Sequence, residues 1–221
     1  MKRLTALAAL IGIPLSVFAA DWPQWQGPNR DSKSAETGLL KKWPSGGPKL
    51  AWTFRNAGAG YSSPSIVGKR LYMTGTRDQK TTDLYAVDVE TGKEVWKVTL
   101  GPAFDFKGNQ WGIGPRSQPT VHNGLIYALG GGGELLCAST DGKVVWRKSM
   151  PNDLNGQVNP IGGGPKNIGW GYCWAPLVDG EKLICVPGGP DGTVAALDLK
   201  KGTVLWRSEK LTEQATYSSP V

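Results

Sequence analysis

Four residues that stand just ahead of recurring prolines carry groups able to hold a ligand: Tyr61, Arg116, Gln118 and Trp174. An arginine guanidinium donates paired hydrogen bonds to carboxylates, and a tryptophan ring stacks on flat ligands. Glutamine and tyrosine add further hydrogen bonds. The types and positions of these residues predict a binding site. The same residues also suit the anchoring of long loops, and the sequence leaves that alternative open.

Other reactive residues do not form a recognisable site. His122 is the only histidine, and it lies in a hairpin turn without a second His or Cys in register. The cysteines Cys137, Cys173 and Cys185 form no Cys-x-x-Cys pair, and their odd number cannot pair fully within one chain. No acidic cluster has the spacing of a calcium loop. We therefore predict no catalytic residue and no metal ligand.

Composition and charge narrow the class of protein. The formal net charge is +7, but the Lys and Arg residues are scattered and form no basic stripe, so a nucleic-acid partner is not expected. The chain has 31 Gly, 16 Pro and 10 Trp. Frequent turn residues and large rings are typical of short strands, tight turns and packed sheets.

The N-terminus has the pattern of an export signal. A basic start is followed by an apolar stretch and Ala19-Ala20, which predicts a signal peptide at 1–20 and a mature start at Ala20 or Asp21. An extended segment is expected at 21–48. No later run is apolar and long enough to span a membrane after removal of the signal. The predicted location is extracytoplasmic, either in the periplasm or secreted.

Two marks recur along the rest of the chain. One is a proline that begins a strand (Pro64, Pro119, Pro176, Pro220), and the other is a tryptophan after a turn (Trp96, Trp146, Trp206). A strand-borne period of about 50 residues indicates a propeller or solenoid. We predict an all-β fold, a β-propeller of four-stranded antiparallel blades. The partial propeller covers 49–221, with blades at about 62–99, 116–149 and 174–208 and the start of another at 217–221.

Each predicted blade carries the same structural residues. A small residue lies on the third strand, a glycine in the following turn and the tryptophan on the fourth strand. We expect these positions to dock neighbouring blades: Ala86, Asp88, Thr91, Gly92, Trp96, Gly142, Trp146, Ala196, Asp198, Gly202 and Trp206. Each tryptophan is expected to be mostly buried against the small residue of an adjacent blade.

A single outer strand is predicted at 49–54, before the first full blade. It carries Trp52, like the outer strands of the blades. In a closed ring it would complete a last blade, because closure removes exposed sheet edges. We therefore expect the chain to be the N-terminal part of a larger propeller.

The stretch Ala86–Trp96, AVDVETGKEVW, resembles the docking motif Ala-x-Asp-x-x-Thr-Gly-Lys-x-x-Trp of pyrroloquinoline quinone (PQQ) repeats. The copy that ends at Trp206 keeps Ala196, Asp198 and Gly202, whereas the copy that ends at Trp146 has lost the Asp. The resemblance covers roughly 49–221. It implies a quinoprotein-like β-propeller, usually of seven or eight blades.

The resemblance implies two kinds of function. Such repeats occur in PQQ-dependent dehydrogenases and in BamB-like scaffold proteins of the outer-membrane assembly machinery. The first kind implies PQQ with calcium, and the three PQQ carboxylates would need a donor such as Arg116. The second implies a binding or scaffold protein with a protein or carbohydrate partner. We favour the second, because this part of the chain has no haem motif, no adjacent cysteine pair and no catalytic base.

Overall fold

The computed structural model describes residues 20–104, 112–160 and 169–221. Nearly all of the predicted signal peptide therefore lies outside the described residues, as do parts of both long connections between blades. In the part of the chain that is described, no helix is long and apolar enough to cross a membrane.

Three four-stranded antiparallel sheets follow one another along the chain, which confirms the predicted blades. Blade 1 comprises β1 (Ser65–Val67), β2 (Arg70–Arg77), β3 (Thr81–Asp88) and β4 (Glu94–Pro102). Blade 2 comprises β5 (Thr120–His122), β6 (Leu125–Leu129), β7 (Glu134–Ser139) and β8 (Val144–Ser149). Blade 3 comprises β9 (Leu177–Asp179), β10 (Lys182–Cys185), β11 (Ala195–Asp198) and β12 (Val204–Arg207). Within each sheet, the strands lie in chain order.

The first strands of the blades lie side by side and form the inner edge of the array. Ser65 at the start of β1 donates its hydroxyl to the carbonyl of Pro119, at 2.5 Å. Thr120, at the equivalent place in β5, donates to the carbonyl of Pro176. Ser65 and Thr120 directly follow the blade-starting prolines Pro64 and Pro119, and each hydroxyl ties its inner strand to the next blade.

One short helix interrupts the all-β pattern after blade 2. This helix, α1 (Met150–Leu154), is capped at its N-terminus by Ser149, whose hydroxyl accepts from the backbone N–H of Asn152. Asp153 accepts from the backbone N–H of Ser149, which completes a capping exchange. The helix buries Met150 and Leu154 in the core between blades 2 and 3.

Within blade 1, a small residue lies between two large rings. Ala86 pairs across the sheet with Tyr72 on one side and Trp96 on the other. The two ring centroids are 6.0 Å apart. In blade 2, Cys137 lies between Tyr127 and Trp146 in the same way. The recurrent small residue therefore makes room for the tryptophan of its own blade.

The contact between blades is made by the glycine of the turn. The Trp96 indole N–H donates to the carbonyl of Thr140 in the next blade, at 3.1 Å. A Cβ on Gly142 would lie 2.9 Å from the same ring. Trp146 of blade 2 docks on blade 3 in the same way, with a 2.9 Å bond from its indole N–H to the Leu199 carbonyl. Each ring thus covers a turn that only glycine leaves open.

This geometry corrects the expected packing partner. We expected the small residues Ala86 and Ala196 to receive a ring from an adjacent blade, but both are cross-strand neighbours of a tryptophan in their own blade. The expected burial of Trp206 is also wrong, because 43% of this residue is exposed. Within the described residues, no further turn covers it as Thr140 and Leu199 cover the other rings.

The side chains of the turn hold its backbone in shape. The Asp88 carboxylate accepts from the backbone N–H and the hydroxyl of Thr91, which lowers the pKa of Asp88. The Asp198 carboxylate accepts from two successive backbone N–H groups, those of Lys200 and Lys201. Such side-chain bonds fix the tight turn that presents the glycine.

The predicted outer strand at 49–54 forms no strand, because no neighbouring strand of the described chain is available to pair with it. Its tryptophan nevertheless docks as the others do. The Trp52 indole donates to the carbonyl of Val89, at 2.8 Å, and covers Gly92. Three successive turns therefore receive a ring from the preceding part of the chain.

Candidate ligand-binding site at the inner-strand ends

A cavity of about 380 Å³ opens where the chain enters the inner strands. Equivalent positions of the repeat line it. The position three residues before each blade-starting proline contributes Arg116, Cys173 and Tyr217. The position directly before the proline contributes Ser63, Gln118, Ala175 and Ser219. Side chains two apart on an extended chain face the same way, so the repeat itself builds this wall.

Arg116 is the charged residue of the wall. Its guanidinium donates to the carbonyls of Gly114 and Gly112, at 2.9 and 3.1 Å. The guanidinium carbon also lies 5.1 Å from the ring centroid of Tyr61, within cation–π range. Arg116 therefore anchors its loop and contributes positive charge to the cavity. Tyr61 supports Arg116 and does not line the cavity.

Gln118 is 4% exposed and lies at the cavity wall. Its side-chain NH2 group donates to the carbonyl of Pro64 and to the hydroxyl of Ser65, at 3.1 and 3.0 Å. Both N–H groups are thereby used across the interface of blades 1 and 2. The amide oxygen has no partner among the described residues, so it can accept a hydrogen bond from a ligand.

The structure places Trp174 away from the cavity. This ring is fully buried in the core, edge-on to Tyr172 with ring centroids 6.4 Å apart. It occupies the second position before its proline, so strand alternation turns it to the face opposite Cys173 and Ala175. Ser117, at the equivalent position of blade 2, is also buried. Three of the four predicted residues thus gather at or beside the cavity, whereas Trp174 does not.

An exposed aromatic ring in the cavity comes instead from the N-terminal segment. Trp25 lines the cavity with 43% of the residue exposed, and Gln26 lies beside it. Gln26 has φ 63°, in the left-handed region that residues other than glycine seldom adopt. No periodic pattern marks this position in the sequence, although the opening DWPQW is rich in tryptophan.

Backbone hydrogen bonds fix this segment across the inner strands. Trp22 exchanges two backbone bonds with Ile66 on β1, at 2.8 and 3.0 Å. The Pro23 carbonyl accepts from Val121 on β5, at 2.8 Å. Arg30 donates to the carbonyl of Val178 on β9, at 3.2 Å. The segment thus contacts all three blades and holds Trp25 at the cavity.

Cys173 is the wall residue that resembles a nucleophile. Burial raises the pKa of its thiol to about 11, and the nearby Arg116 charge offsets this only in part. The thiol lies 3.3 Å from the carbonyl of Trp170, to which it donates. At neutral pH it is protonated and therefore a poor nucleophile.

A larger cavity, of about 500 Å³, lies elsewhere, beside α1 and the β6–β7 turn. Its walls are mostly apolar and glycine-rich, with Phe104, Pro151 and Tyr172 among them. The described lining contains no charged side chain, so it offers no cation to pair with an anionic ligand. The smaller cavity at the inner-strand ends has the polar groups that a specific ligand needs.

Three repeated blades, docked by tryptophan on glycine, define a β-propeller protein of the PQQ-repeat type. A family model described as outer membrane protein assembly factor BamB matches residues 80–221, which is more than half of the chain. The chain therefore belongs to this family. No curated protein matches it.

Solved structures with the same fold include two dehydrogenases. A quinohemoprotein alcohol dehydrogenase from Comamonas testosteroni has a TM-score of 0.56 and 20% identity, covering 84% of this chain and 26% of the other. A europium-containing methanol dehydrogenase has a TM-score of 0.50 and 20% identity, covering 72% and 26%. BamB from Moraxella catarrhalis has a TM-score of 0.46 and 18% identity, covering 69% and 37%. At this identity the likeness shows the fold alone, and the chain spans about a quarter of each dehydrogenase.

The described residues do not fit PQQ with calcium. Arg116 is the one cation of the cavity wall described here, whereas PQQ carries three carboxylates. Trp174 is buried and cannot stack on a quinone. The described residues contain no group of three or more His, Cys, Asp or Glu placed to hold a metal ion.

Proposed function

We propose that the protein is an extracytoplasmic β-propeller that binds a ligand at the inner-strand ends and performs no chemistry there. The observation that carries the proposal is the cavity wall itself. Its described lining combines one guanidinium, two amide side chains, several hydroxyls and an exposed indole, without a carboxylate or an imidazole. Such a wall can hold a ligand but has no general base.

The family supports a binding role in a second way. Its description names an assembly factor, and protein or carbohydrate partners are both consistent with an exposed polar cavity on a rigid scaffold. The alternative, a PQQ- and calcium-dependent alcohol or sugar dehydrogenase, is supported by the fold that the chain shares with two dehydrogenases. It would require ligands from residues that the structure does not describe.

Titration with PQQ and calcium separates these two functions. We expect no saturable change in tryptophan fluorescence on addition of PQQ with calcium, and no alcohol-dependent reduction of an artificial electron acceptor. Saturable binding that Arg116→Ala weakens by roughly 10- to 100-fold would instead favour the dehydrogenase hypothesis. This range follows because a charge-assisted hydrogen bond contributes about 1.5–3 kcal/mol. Arg147→Ala is the control, because Arg147 also donates to two backbone carbonyls, those of Leu100 and Thr99 at 2.9 and 2.5 Å, but does not line the cavity.

Export is tested on the protein expressed from its full sequence. We expect the folded product to be recovered outside the cytoplasm with Ala20 or Asp21 as its first residue, because a small-residue cleavage site follows the apolar stretch. Mass spectrometry of the intact protein measures this. An exported, folded product that retains Met1 would contradict the prediction.

A further inference from the structure

We propose that the cavity at the inner-strand ends binds a sugar ring that bears a carboxylate, and that Trp25 of the N-terminal segment is its stacking platform. This inference rests on the proposed binding function and names its ligand class. It assigns to the N-terminal segment a direct part in the site.

The wall presents three complementary groups. Arg116 can only donate hydrogen bonds and carries the positive charge. Gln118 has both side-chain N–H groups engaged with Pro64 and Ser65, so only its amide oxygen, an acceptor, remains for a ligand. Trp25 offers a flat, partly exposed apolar face. A ligand must therefore combine an anionic group, a hydroxyl or N–H donor and an apolar face.

A uronic acid ring meets all of these requirements. Its carboxylate pairs with Arg116, its hydroxyls donate to the amide oxygen of Gln118, and its C–H face lies on the indole of Trp25. Ser63 and Ser219 add hydroxyls to the same wall. A flat tricarboxylate fits less well, because the described wall has one cation and two carboxylates would lose water without a charge partner.

The N-terminal segment is built to hold such a platform in place. Its backbone is tied to β1 through Trp22 and to β5 through Pro23. The Trp22 ring also closes over Gly27, where a Cβ would lie 2.8 Å from it. Trp25 lies between these fixed points, so little conformational freedom is lost when a ligand binds. The left-handed backbone of Gln26 fits this arrangement, since such conformations gather at ligand sites.

The test is a calorimetric titration with oligomers of galacturonic, glucuronic and mannuronic acid, and with neutral gluco- and galacto-oligosaccharides. We expect saturable binding of at least one acidic oligomer, about 10-fold tighter than any neutral one. Added salt is expected to weaken it, because an exposed charge pair is screened. Trp25→Ala should weaken this binding about 10-fold, and Trp25→Phe should restore part of it.

Trp43→Ala is the matched control, because Trp43 lies in the same N-terminal stretch, is 65% exposed and does not line the cavity. It should leave affinity unchanged. Equal effects of Trp25→Ala and Trp43→Ala, or no binding of any acidic oligomer, would overturn the inference. If neutral oligomers bind equally well and their binding depends on Trp25, the ligand does not need a carboxylate, although the proposed binding function still holds. Binding of PQQ with calcium in place of any sugar would overturn the proposed function as well.

Discussion

Trp146→Ala is expected to lower the free energy of unfolding by about 3–5 kcal/mol, the range for removal of a buried tryptophan. Trp146 is 9% exposed and covers the turn of blade 3. Its indole N–H and the hydroxyl of Tyr127 both donate to the Leu199 carbonyl, at 2.9 and 3.2 Å. Loss of the ring opens a cavity between two blades and removes one bond to that carbonyl. Urea denaturation followed by circular dichroism measures the change.

Trp206→Ala is the matched control, because it removes the same side chain from the same position of the repeat. Trp206 is 43% exposed, and the described residues place no turn glycine or carbonyl against it. We expect a loss of less than about 1 kcal/mol, as for a surface substitution. Trp96→Ala, which removes a partly buried ring with a 3.1 Å bond to Thr140, should fall between the two. Equal losses for Trp146→Ala and Trp206→Ala would contradict the docking geometry.

The repeat was predictable because its turn residues and its tryptophans each favour one local structure. Asn123 and Gly124 adopt φ 46° and 78°, the left-handed pair that a two-residue hairpin requires. The recurring tryptophan and turn glycine likewise marked the fourth strand of each blade. The partner of each tryptophan was not predictable from spacing, which does not say whether Ala86 lies across the sheet or across the blade interface. A regular register counted back from the turn at Gly92 would pair Ala86 with Val95. A β-bulge between Ala86 and Val87 shifts the register by one residue and puts Trp96 opposite Ala86.

In the candidate site, only the residues that follow the alternation of an inner strand were predictable. Arg116 and Gln118 are two residues apart before a strand, and the structure puts both on the cavity wall. The position of Trp174 just ahead of a strand predicts a site residue, but strand alternation turns its ring into the core. Trp25 could not be placed at all, because its position depends on the hydrogen bonds that Trp22 exchanges with Ile66 and that the Pro23 carbonyl accepts from Val121, on strands much later in the chain.

Gly202→Ala is expected to lower the free energy of unfolding by about 2–5 kcal/mol, for two separable reasons. Gly202 has φ 68°, and a side chain in this left-handed conformation costs roughly 1–2 kcal/mol. The added Cβ would also lie 2.7 Å from the Trp146 ring, and overpacking of this kind costs about 1–3 kcal/mol. Gly180→Ala isolates the first cost, because Gly180 has φ 56° in a turn of the same blade with nothing within 4 Å of the new Cβ.

A double-mutant cycle then tests whether the second cost is the contact with Trp146. In the Trp146→Ala background the ring is absent, so Gly202→Ala should cost only what Gly180→Ala costs, about 1–2 kcal/mol. The difference between the two backgrounds is the coupling energy, expected at about 1–3 kcal/mol, whereas Gly180→Ala should be additive with Trp146→Ala. Equilibrium unfolding in urea of six proteins, the parent, the three single variants and the two double variants, gives each free energy of unfolding that the cycle needs. If Gly202→Ala and Trp146→Ala add to within about 0.5 kcal/mol, the glycine does not make room for this ring, and the blades are docked by other contacts.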